Sequence, residues 1–371
     1  MGQEIIRPVI SQRCKRPNEA TVVIDDYEEQ LRELFYIQHP PLAFQPDKAV
    51  DQCSEFIAKR NTETDGSWAY YPWLNTIVHI LPEEEFSTVR TARNRNLITA
   101  DEQKRFYNGV IGIGGLSIGN SVALAIVLQG GGRHMRLADF DRLSLSNTNR
   151  VRAGVQNLGM LKVVVTARQI YEMNPYAIVE TMPDGITKDN VRAFFDGPPK
   201  LDIVIDELDN LAVKYLFRVE AKRAKLPVVM AADNGDNAVV DIERYDLDPD
   251  LSFFHGRIGS VTYDKLASLD KMGIGKMITK HIGPENVTER MQASLVEMGK
   301  TIVSWPQLGG AAQLNGAAVA YCVRKILNRE ELEDNRSLVS MDEKLIPSYN
   351  KPVEIRKRQK IAESFKKNFG L

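Results

Sequence analysis

The chain has 371 residues, and 48 Lys and Arg stand against 49 Asp and Glu, so its formal net charge is −1. This balance excludes bulk charge as a basis for binding nucleic acid or an acidic partner. Hydrophobic residues make up 43% and charged residues 26%, which is typical of a globular protein of two or three domains. The N-terminus is too polar for a signal peptide and no apolar run approaches the roughly 20 residues of a membrane span, so we expect a cytoplasmic protein.

The three cysteines, Cys14, Cys53 and Cys322, are far apart and form no C-x-x-C pair. This spacing argues against a disulfide framework and against a four-cysteine zinc site. A reducing compartment therefore fits the cysteine usage best.

The first 90 residues divide into an arm and a small module. Residues 1–20 have no apolar periodicity, which predicts a flexible arm with order beginning near Thr21. Residues 21–90 contain two amphipathic helical patterns, the second with Asp47 as a candidate N-cap, and an aromatic, β-branched stretch typical of a strand pair. We expect a small α/β module here.

From residue 91 to about 330, apolar strands alternate with helical patterns. This alternation predicts a doubly wound, Rossmann-like, mostly parallel sheet. After Asn234 the pattern becomes a hairpin, then an irregular region as far as His281, and then two helices, the second packed tightly on the sheet. Residues 331–371 form a basic C-terminal tail, interpreted as a solvated helix or as a contact for an anionic partner.

A glycine turn follows the first strand of the alternating region. It reads Gly112-Ile-Gly114-Gly115-Leu-Ser-Ile-Gly119, and such a turn at a helix N-terminus can hold a phosphate or can pack a helix closely on its strand. Asp139, at the end of the next strand, stands where an acidic residue binds a ribose. Together the turn and Asp139 favour nucleotide binding.

The next segments favour ATP over a dinucleotide. Arg150 and Lys162 can neutralise a triphosphate, which NAD needs less. Asp209 lies just beyond a later strand end, where a carboxylate can bind Mg²⁺ together with phosphates, although the same segment can simply cap a helix.

In chain order these residues form a G-x-G-G turn, D-F-D, S-N-x-N-R, a lysine twelve residues later, and D-x-x-D-N. The chain therefore resembles the ThiF/MoeB-like adenylating family, which includes the ubiquitin-activating enzymes. The resemblance implies that Asp139 binds the ribose, that Asn147, Arg150 and Lys162 surround the triphosphate, and that Asp209 binds Mg²⁺. The candidate nucleotide-binding set is Gly112, Gly114, Gly115, Asp139, Asp141, Asn147, Arg150 and Lys162.

The resemblance also implies a homodimer. Family members carry an arginine before the domain that reaches the ATP of the other subunit, and here Arg93 and Arg95 stand at that place, with Arg95 favoured. A bacterial subgroup of similar proteins joins this domain to a flavin nitroreductase-like domain, so a separately encoded flavin reductase is a further candidate partner.

The chain departs from many relatives in its cysteines. It has no zinc-binding C-x-x-C pairs and no cysteine between Lys162 and Cys322, where relatives that form a thioester carry one. Cys322 lies in an apolar helical pattern, which indicates a buried, inert thiol. We therefore expect no zinc and no enzyme thioester.

The sequence thus predicts an adenylyltransferase that uses ATP and Mg²⁺. It would activate a carboxylate of a small molecule, a peptide or a ubiquitin-like carrier protein, with Arg150, Lys162, Asp209 and Arg95 as catalytic candidates. Asp233, Asn234 and Asp236 follow the last parallel strand and could contact the substrate or form a turn. An NAD(P)- or FAD-binding oxidoreductase and a non-catalytic nucleotide-binding scaffold are the alternatives.

Overall fold

The computed structural model describes residues 6–332 and 334–371. Its N-terminal part is a small α/β module built on a four-stranded sheet of order β1-β3-β4-β2. The elements of this module are β1 (Val9–Ser11), β2 (Val22–Asp25), α1 (Tyr27–Gln38), α2 (Pro46–Ala58), β3 (Ser67–Tyr71), β4 (Thr76–Ile80) and α3 (Glu83–Arg90).

Two expectations for this module need correction. Order does not begin near Thr21, because β1 pairs antiparallel with β3 through Val9 opposite Tyr70; the polar residues that follow β1 concealed a short β-branched strand. Residues 1–5 of the predicted arm lie outside the described residues. The second helix begins at Pro46 with Gln45 as its N-cap, so Asp47 lies in the first turn rather than at the cap.

The module is docked on the rest of the chain by hydrogen bonds from aromatic side chains. The Tyr71 hydroxyl donates to the Tyr171 carbonyl at 3.2 Å, and the Tyr176 hydroxyl donates to the Leu81 carbonyl at 2.6 Å. Trp73 Nε1 donates to Glu172 at 2.6 Å. Aromatic residues of the predicted strand pair therefore contribute to an interface with the second domain.

The second sheet has seven strands in the order β11-β10-β9-β8-β5-β6-β7. Its strands and the helices between them are α4 (Ala100–Asn108), β5 (Val110–Gly114), α5 (Ile118–Leu128), β6 (His134–Ala138), α6 (Lys162–Met173), β7 (Ile178–Met182), α7 (Val191–Asp196), β8 (Ile203–Asp206), α8 (Leu211–Ala224), β9 (Pro227–Asn234), β10 (Asn237–Arg244), α12 (Gly309–Leu327) and β11 (Arg336–Val339).

The five strands from β7 to β9 are parallel, whereas β10 and β11 add an antiparallel edge. The predicted doubly wound, mostly parallel fold is confirmed. The chain order reverses at β5, which lies between β6 and β8, so the switch point where such sheets bind ligands lies at the carboxyl end of β5.

Helix α12 packs tightly against α5 on one face of the sheet, as its Ala and Gly content predicted. A Cβ on Gly316 would lie 2.7 Å from the Ser121 carbonyl oxygen, so the two backbones approach closely only because this residue is glycine. This contact holds α5, which follows the glycine turn, against the sheet.

Further helices follow the antiparallel edge of the sheet. They are α9 (Tyr263–Ala267), α10 (Lys271–Ile282), α11 (Glu289–Val296), α13 (Met341–Leu345) and α14 (Pro352–Phe369). The predicted irregular region as far as His281 is wrong for α10. The solvated interpretation of the C-terminal helix is also incomplete, because Phe365 and Phe369 of α14 are buried against Met291 and Leu295 of α11.

The helices of the described residues include none that combines the length and the apolar character needed to cross a lipid bilayer.

Candidate functional site

Two adjoining cavities open at the carboxyl ends of the parallel strands. The first, which we call the glycine-turn cavity, has a volume of about 350 Å³ and extends from Gly115 to Asp139, Lys162 and Tyr263. The second, which we call the apolar cavity, has a volume of about 320 Å³ and lies between β9 and helices α10 and α11. Four residues line both cavities: Ser117, Glu207, Leu208 and Asp209.

The glycine turn brings the N-terminus of α5 to the first cavity. Gly115 has φ +85°, and a Cβ there would lie 2.1 Å from the Glu207 carbonyl oxygen, so only glycine fits this position. Ser117 is the N-cap of α5 but makes no side-chain capping bond. The first N–H groups of α5 therefore remain suited to an anion at this wall.

Asp139 anchors the turn. Its two oxygens accept hydrogen bonds from the Leu116 N–H at 2.6 Å and the Asp141 N–H at 2.7 Å. Burial raises the pKa of this carboxyl, and the nearby Lys162 opposes the increase. Asp139 thus shapes the loop as well as lining the cavity.

Lys162 and Asp141 form an ion pair on the same wall, with Nζ 2.8 Å from Oδ2. Lys162 is only 5% exposed at the start of α6, and its N–H donates to the Asp141 carbonyl at 2.8 Å. The lysine is therefore held in place, with its charge directed into the cavity that Asp139 also lines.

Several predicted residues do not line either cavity. Gly112 lies within β5, where a Cβ would lie 2.9 Å from Leu201, so its small size serves core packing. Gly114 likewise lies beneath Ile186 and Leu208. Asn147 accepts the Arg150 N–H on its carbonyl at 3.0 Å and so positions the backbone of Arg150.

Arg95 is also distant from both cavities of its own chain. The adjacent Asn94 donates to the Gln129 carbonyl at the far end of α5, about 16 Å of helix away from the glycine turn. Arg95 itself is exposed. A role in ATP binding would have to be exerted on another subunit, which stays a prediction.

Arg150 lines the apolar cavity next to the shared wall. Its Nε donates to Ser117 Oγ at 3.0 Å, so the guanidinium lies beside the N-terminus of α5. Burial lowers the pKa of Arg150, and the carboxylates of Asp233 and Asp209 oppose this decrease. The arginine remains a cation because its ordinary pKa is above 12.

Asp209 is exposed and lines both cavities, where it can meet a phosphate-bound cation. The described residues contain no cluster of three or more His, Cys, Asp or Glu side chains arranged to hold a metal. Mg²⁺ commonly takes one or two carboxylates together with water and phosphate oxygens, so this single carboxylate fits Mg²⁺ bound with a nucleotide. Asn210 caps α8 through the Ala212 and Val213 N–H groups, so the alternative capping role belongs to Asn210.

Asp233 lies in the apolar cavity and accepts hydrogen bonds from Gln307 and Asn315. Burial raises its pKa to about 6. Asn234 instead bonds to the backbone of Asn286 and Thr288, and Asp236 lies exposed on the β9–β10 turn. Of these three candidates, only Asp233 combines a titratable group with a place on the cavity wall.

Beneath the apolar cavity lies a buried charge network that the sequence did not reveal. Arg218 on α8 bonds to Asp206 on β8 and to Glu243 on β10, and all three side chains are buried. Lys214 Nζ lies 3.2 Å from Asp206 Oδ1. The network ties three elements together directly below the shared wall.

Other wall residues were also missed. Glu207 is buried, accepts the Ala231 N–H at 2.9 Å, and has its pKa raised well above the ordinary value by burial. Lys188 lies 4.9 Å from the ring centre of Tyr263 beside the glycine-turn cavity. The acidic residue directly after an apolar strand was a readable signal for Glu207, whereas Lys188 and Tyr263 carry no motif.

A family comparison identifies the central part of the chain. Residues 91–242 match the model of the ThiF family. This segment contains the glycine turn, Arg150, Lys162 and Asp209, whereas helices α10 and α11 lie beyond it.

Three curated relatives are similar over part of the chain. The uncharacterized protein MT1398 of Mycobacterium tuberculosis is 39% identical over 274 residues, which is 74% of this chain and 38% of the relative. The tRNA threonylcarbamoyladenosine dehydratase of Escherichia coli is 33% identical over 34% of this chain and 46% of its own length. The sulfur carrier protein adenylyltransferase of Thermus thermophilus is 30% identical over 35% of this chain and 46% of its own length. The chain thus spans less than half the length of each of these relatives.

Two solved structures were also matched. The Escherichia coli tRNA N6-threonylcarbamoyladenosine dehydratase in complex with AMP gives a TM-score of 0.46 with 18% identity, covering 65% of this chain and 96% of that one. The Escherichia coli MccB structure with ATP gives 0.47 with 19% identity, covering 71% and 77%. With the family match and the glycine-turn motifs on the same segment, residues 91–242 of this chain belong to the ThiF family.

Proposed function

We propose that this chain catalyses the ATP- and Mg²⁺-dependent adenylation of a substrate carboxylate. The observation that carries the proposal is the wall shared by two cavities, which Ser117 and Asp209 line on both sides. An adenylating enzyme must hold a nucleotide and an acid so that they meet at the α-phosphorus. ThiF-family membership of residues 91–242 supports the same assignment.

In the proposed step, a carboxylate oxygen attacks the α-phosphorus of ATP. A new phosphorus–oxygen bond forms, the bond from the α-phosphorus to the bridging oxygen breaks, and pyrophosphate leaves with that electron pair. The product is an acyl-adenylate. The acid is already ionised, so the protein needs no nucleophile and acts mainly by positioning the reactants and neutralising charge.

Each charged residue then has a defined task. Lys162 and the N–H groups of α5 would hold the phosphates in the glycine-turn cavity, with Asp139 and Asp141 on the ribose side. Arg150 would lie between the phosphates and the incoming carboxylate, where Ser117 holds it. Asp209 would hold Mg²⁺, which screens phosphate charge when it is bound.

The acyl-adenylate would pass directly to an amine, an amide, a sulfur donor or water. A thioester would need a reactive thiolate, and burial raises the pKa of Cys322 to about 11. Cys53 is also buried, and the exposed Cys14 belongs to the segment next to β1. We therefore propose that no enzyme thioester forms.

We also propose that the enzyme is a cytoplasmic homodimer in which Arg95 serves the partner subunit. A separately encoded flavin reductase is the proposed partner in later chemistry. Purification under native conditions tests the homodimer and the complex with the reductase. A monomeric mass would contradict the homodimer. The absence of any co-purifying flavoprotein would contradict the complex with the reductase.

The central experiment is ATP–pyrophosphate exchange with pooled carboxylates, alongside binding of ATP and NAD(P). Exchange that depends on an added acid would support the proposal. Tight NAD(P) binding without ATP binding would favour an oxidoreductase, and ATP binding without exchange for any acid or carrier would favour a scaffold.

The metal assignment has its own test. Asp209→Asn should lower Mg²⁺-dependent exchange at least about tenfold, because the substitution removes the charge that would hold the cation. The matched control is Asp236→Asn, since Asp236 is exposed on the neighbouring hairpin and lines neither cavity. An unchanged exchange rate for Asp209→Asn would contradict the role of this residue.

A further inference from the structure

The apolar cavity has walls that suit a hydrocarbon group. Its apolar lining includes Phe254, Ile278, Ile282, Met291, Leu295 and Trp305. Phe254 and Leu295 are almost fully buried, whereas Ile278 and Trp305 keep part of their surface open. Removing an apolar ligand from water into such a cavity is favourable by roughly 25 cal/mol for each Å² buried.

The charged residues of this cavity lie near the sheet. Arg150 lies beside the shared wall with Ser117, and Asp233 lies at the end of β9. Lys214 is already paired with Asp206 at 3.2 Å. Arg150 is therefore the cation available to an anionic group that reaches the shared wall.

The volume limits the size of the occupant. The cavity holds about 320 Å³. A buried apolar cavity of about 150 Å³ holds one benzene molecule, so this space suits a body of about two such rings or a medium-length alkyl chain. The walls formed by α10 and α11 lie beyond residues 91–242, the segment that the ThiF-family model matches.

We propose that the apolar cavity binds the body of an aliphatic or aromatic monocarboxylic acid, with its carboxylate at Arg150 beside the shared wall. This inference rests on the proposed adenylation and specifies its substrate class. The C-terminal peptide of a carrier protein would leave its backbone polar groups facing Ile, Leu and Met side chains, which costs free energy when those groups are unpaired.

Binding is tested without nucleotide through the fluorescence of Trp305, one of three tryptophans in the chain. Octanoate, benzoate and 3-phenylpropanoate are titrated into the full chain, with octanamide as the uncharged comparison. We expect saturable shifts for the acids, weaker binding of the amide, and no shift in Trp305→Phe. No saturable shift with any of the three acids would overturn the proposal.

A larger side chain on the wall of the apolar cavity tests whether the acids bind there. Ile278→Phe should weaken acid binding about tenfold or more while leaving ATP affinity unchanged, since Ile278 lines only the apolar cavity. The matched control is Ile355→Phe on α14, which lines neither cavity and should bind the acids as the parent chain does. Equal effects of the two substitutions would overturn the proposal.

Exchange assays on the same samples separate this inference from the proposed function. Acid binding that Ile278→Phe weakens supports the cavity assignment, even where no pyrophosphate exchange occurs and adenylation is therefore contradicted. Exchange that requires a Gly-Gly-terminated peptide, with no binding of the three acids, overturns the cavity assignment and leaves adenylation standing.

Discussion

Arg150 is the residue on which the charge balance of the site depends most directly. It is half-buried, it bonds to Ser117 Oγ at 3.0 Å, and it faces the carboxylates of Asp209 and Asp233. In the proposed adenylation, a cation in this position would stabilise negative charge that spreads onto the phosphates. It would also offset the repulsion between an incoming carboxylate and ATP.

Arg150→Ala should therefore lower acid-dependent exchange by about 10² to 10³ while changing the melting temperature little. The loss follows from missing charge stabilisation and not from unfolding. Arg152→Ala is the control, because Arg152 is exposed two residues further on and lines neither cavity. Exchange that survives in Arg150→Ala, or collapses equally in Arg152→Ala, would contradict the assignment.

Asp233 predicts a pH dependence of stability. Its pKa is about 6 in the folded chain against 3.8 for an ordinary Asp, so the folded state binds this proton more tightly. Between about pH 4 and 6 the Asp233 contribution to stability therefore decreases as pH rises, and above that window the penalty is constant. Burial in the apolar cavity is the main cause.

Asp233→Asn removes this titration. The free energy of unfolding of the parent chain minus that of the variant should decrease by roughly 1–3 kcal/mol from pH 4 to pH 7. Urea unfolding at several pH values measures this difference, and Asp236→Asn controls for the loss of a charge on the hairpin. Parallel pH profiles for the parent and Asp233→Asn would show that Asp233 is not buried as described.

Among the elements, the turn between β5 and α5 is the most tightly constrained. Gly115 combines a positive φ with close contact to the Glu207 carbonyl, whereas Gly159 has φ +81° and open space around its missing Cβ. An alanine at Gly159 would suffer only the backbone strain of a positive φ, whereas an alanine at Gly115 would suffer that strain and a steric clash as well. Strain of this kind costs roughly 1–2 kcal/mol for a residue with a Cβ.

Gly159→Ala should cost about 1 kcal/mol of unfolding free energy and preserve ATP binding. Gly115→Ala should cost more and also weaken ATP binding, because the turn must move away from Glu207. Thermal unfolding and ATP titration of both variants measure the contrast. Equal ATP affinities would show that the turn does not determine the shape of the nucleotide cavity.

The sequence predicted some helices at their observed bounds and missed others, and the difference has physical causes. Helix α8 begins and ends where its pattern indicated, Leu211–Ala224, because the Asn210 side chain caps its N-terminus and Lys225 ends it in the left-handed conformation. Helix α10 was missed because Gly273 and Gly275 lower helix propensity and tertiary packing overrides this preference. Here Gly275 packs against Trp305 and Phe369, at distances where an added Cβ would make ordinary van der Waals contacts.

The site was predictable to a similarly limited extent. Residues within short motifs, such as Asp139 and Lys162, are brought together by neighbouring strand ends, which is a rule of the fold. The burial of Lys162 was not predicted, since lysine side chains are rarely buried. The apolar cavity was not predicted either, because Phe254, Ile278 and Trp305 meet only through the packing of distant segments.

At the scale of the whole molecule, the position of Arg95 leads to a prediction about assembly. Arg95 is exposed at the end of α5 opposite the glycine turn, so it can serve a nucleotide site only across a subunit interface. Arg95→Ala and Lys162→Met should each lower exchange. In the first variant every nucleotide site would lack the arginine donated by the other subunit, and in the second every site would lack its own lysine.

Mixing the two impaired variants should restore part of the exchange activity, because a hybrid dimer contains one site with both residues intact. Arg93→Ala serves as the neighbouring control. Full activity of Arg95→Ala alone, or no recovery in mixtures that demonstrably exchange subunits, would contradict the contribution across the interface.

The contact between α14 and α11 has a consequence for how the protein matures. Met291 and Leu295 line the apolar cavity and are covered on their other side by Phe365 and Phe369, some 70 residues later in the chain. During synthesis the five parallel strands and the glycine turn, which all precede residue 235, can form while this covering helix is still inside the ribosome. A nascent chain, or one clipped before Phe365, would therefore bind nucleotide before it could select an acid.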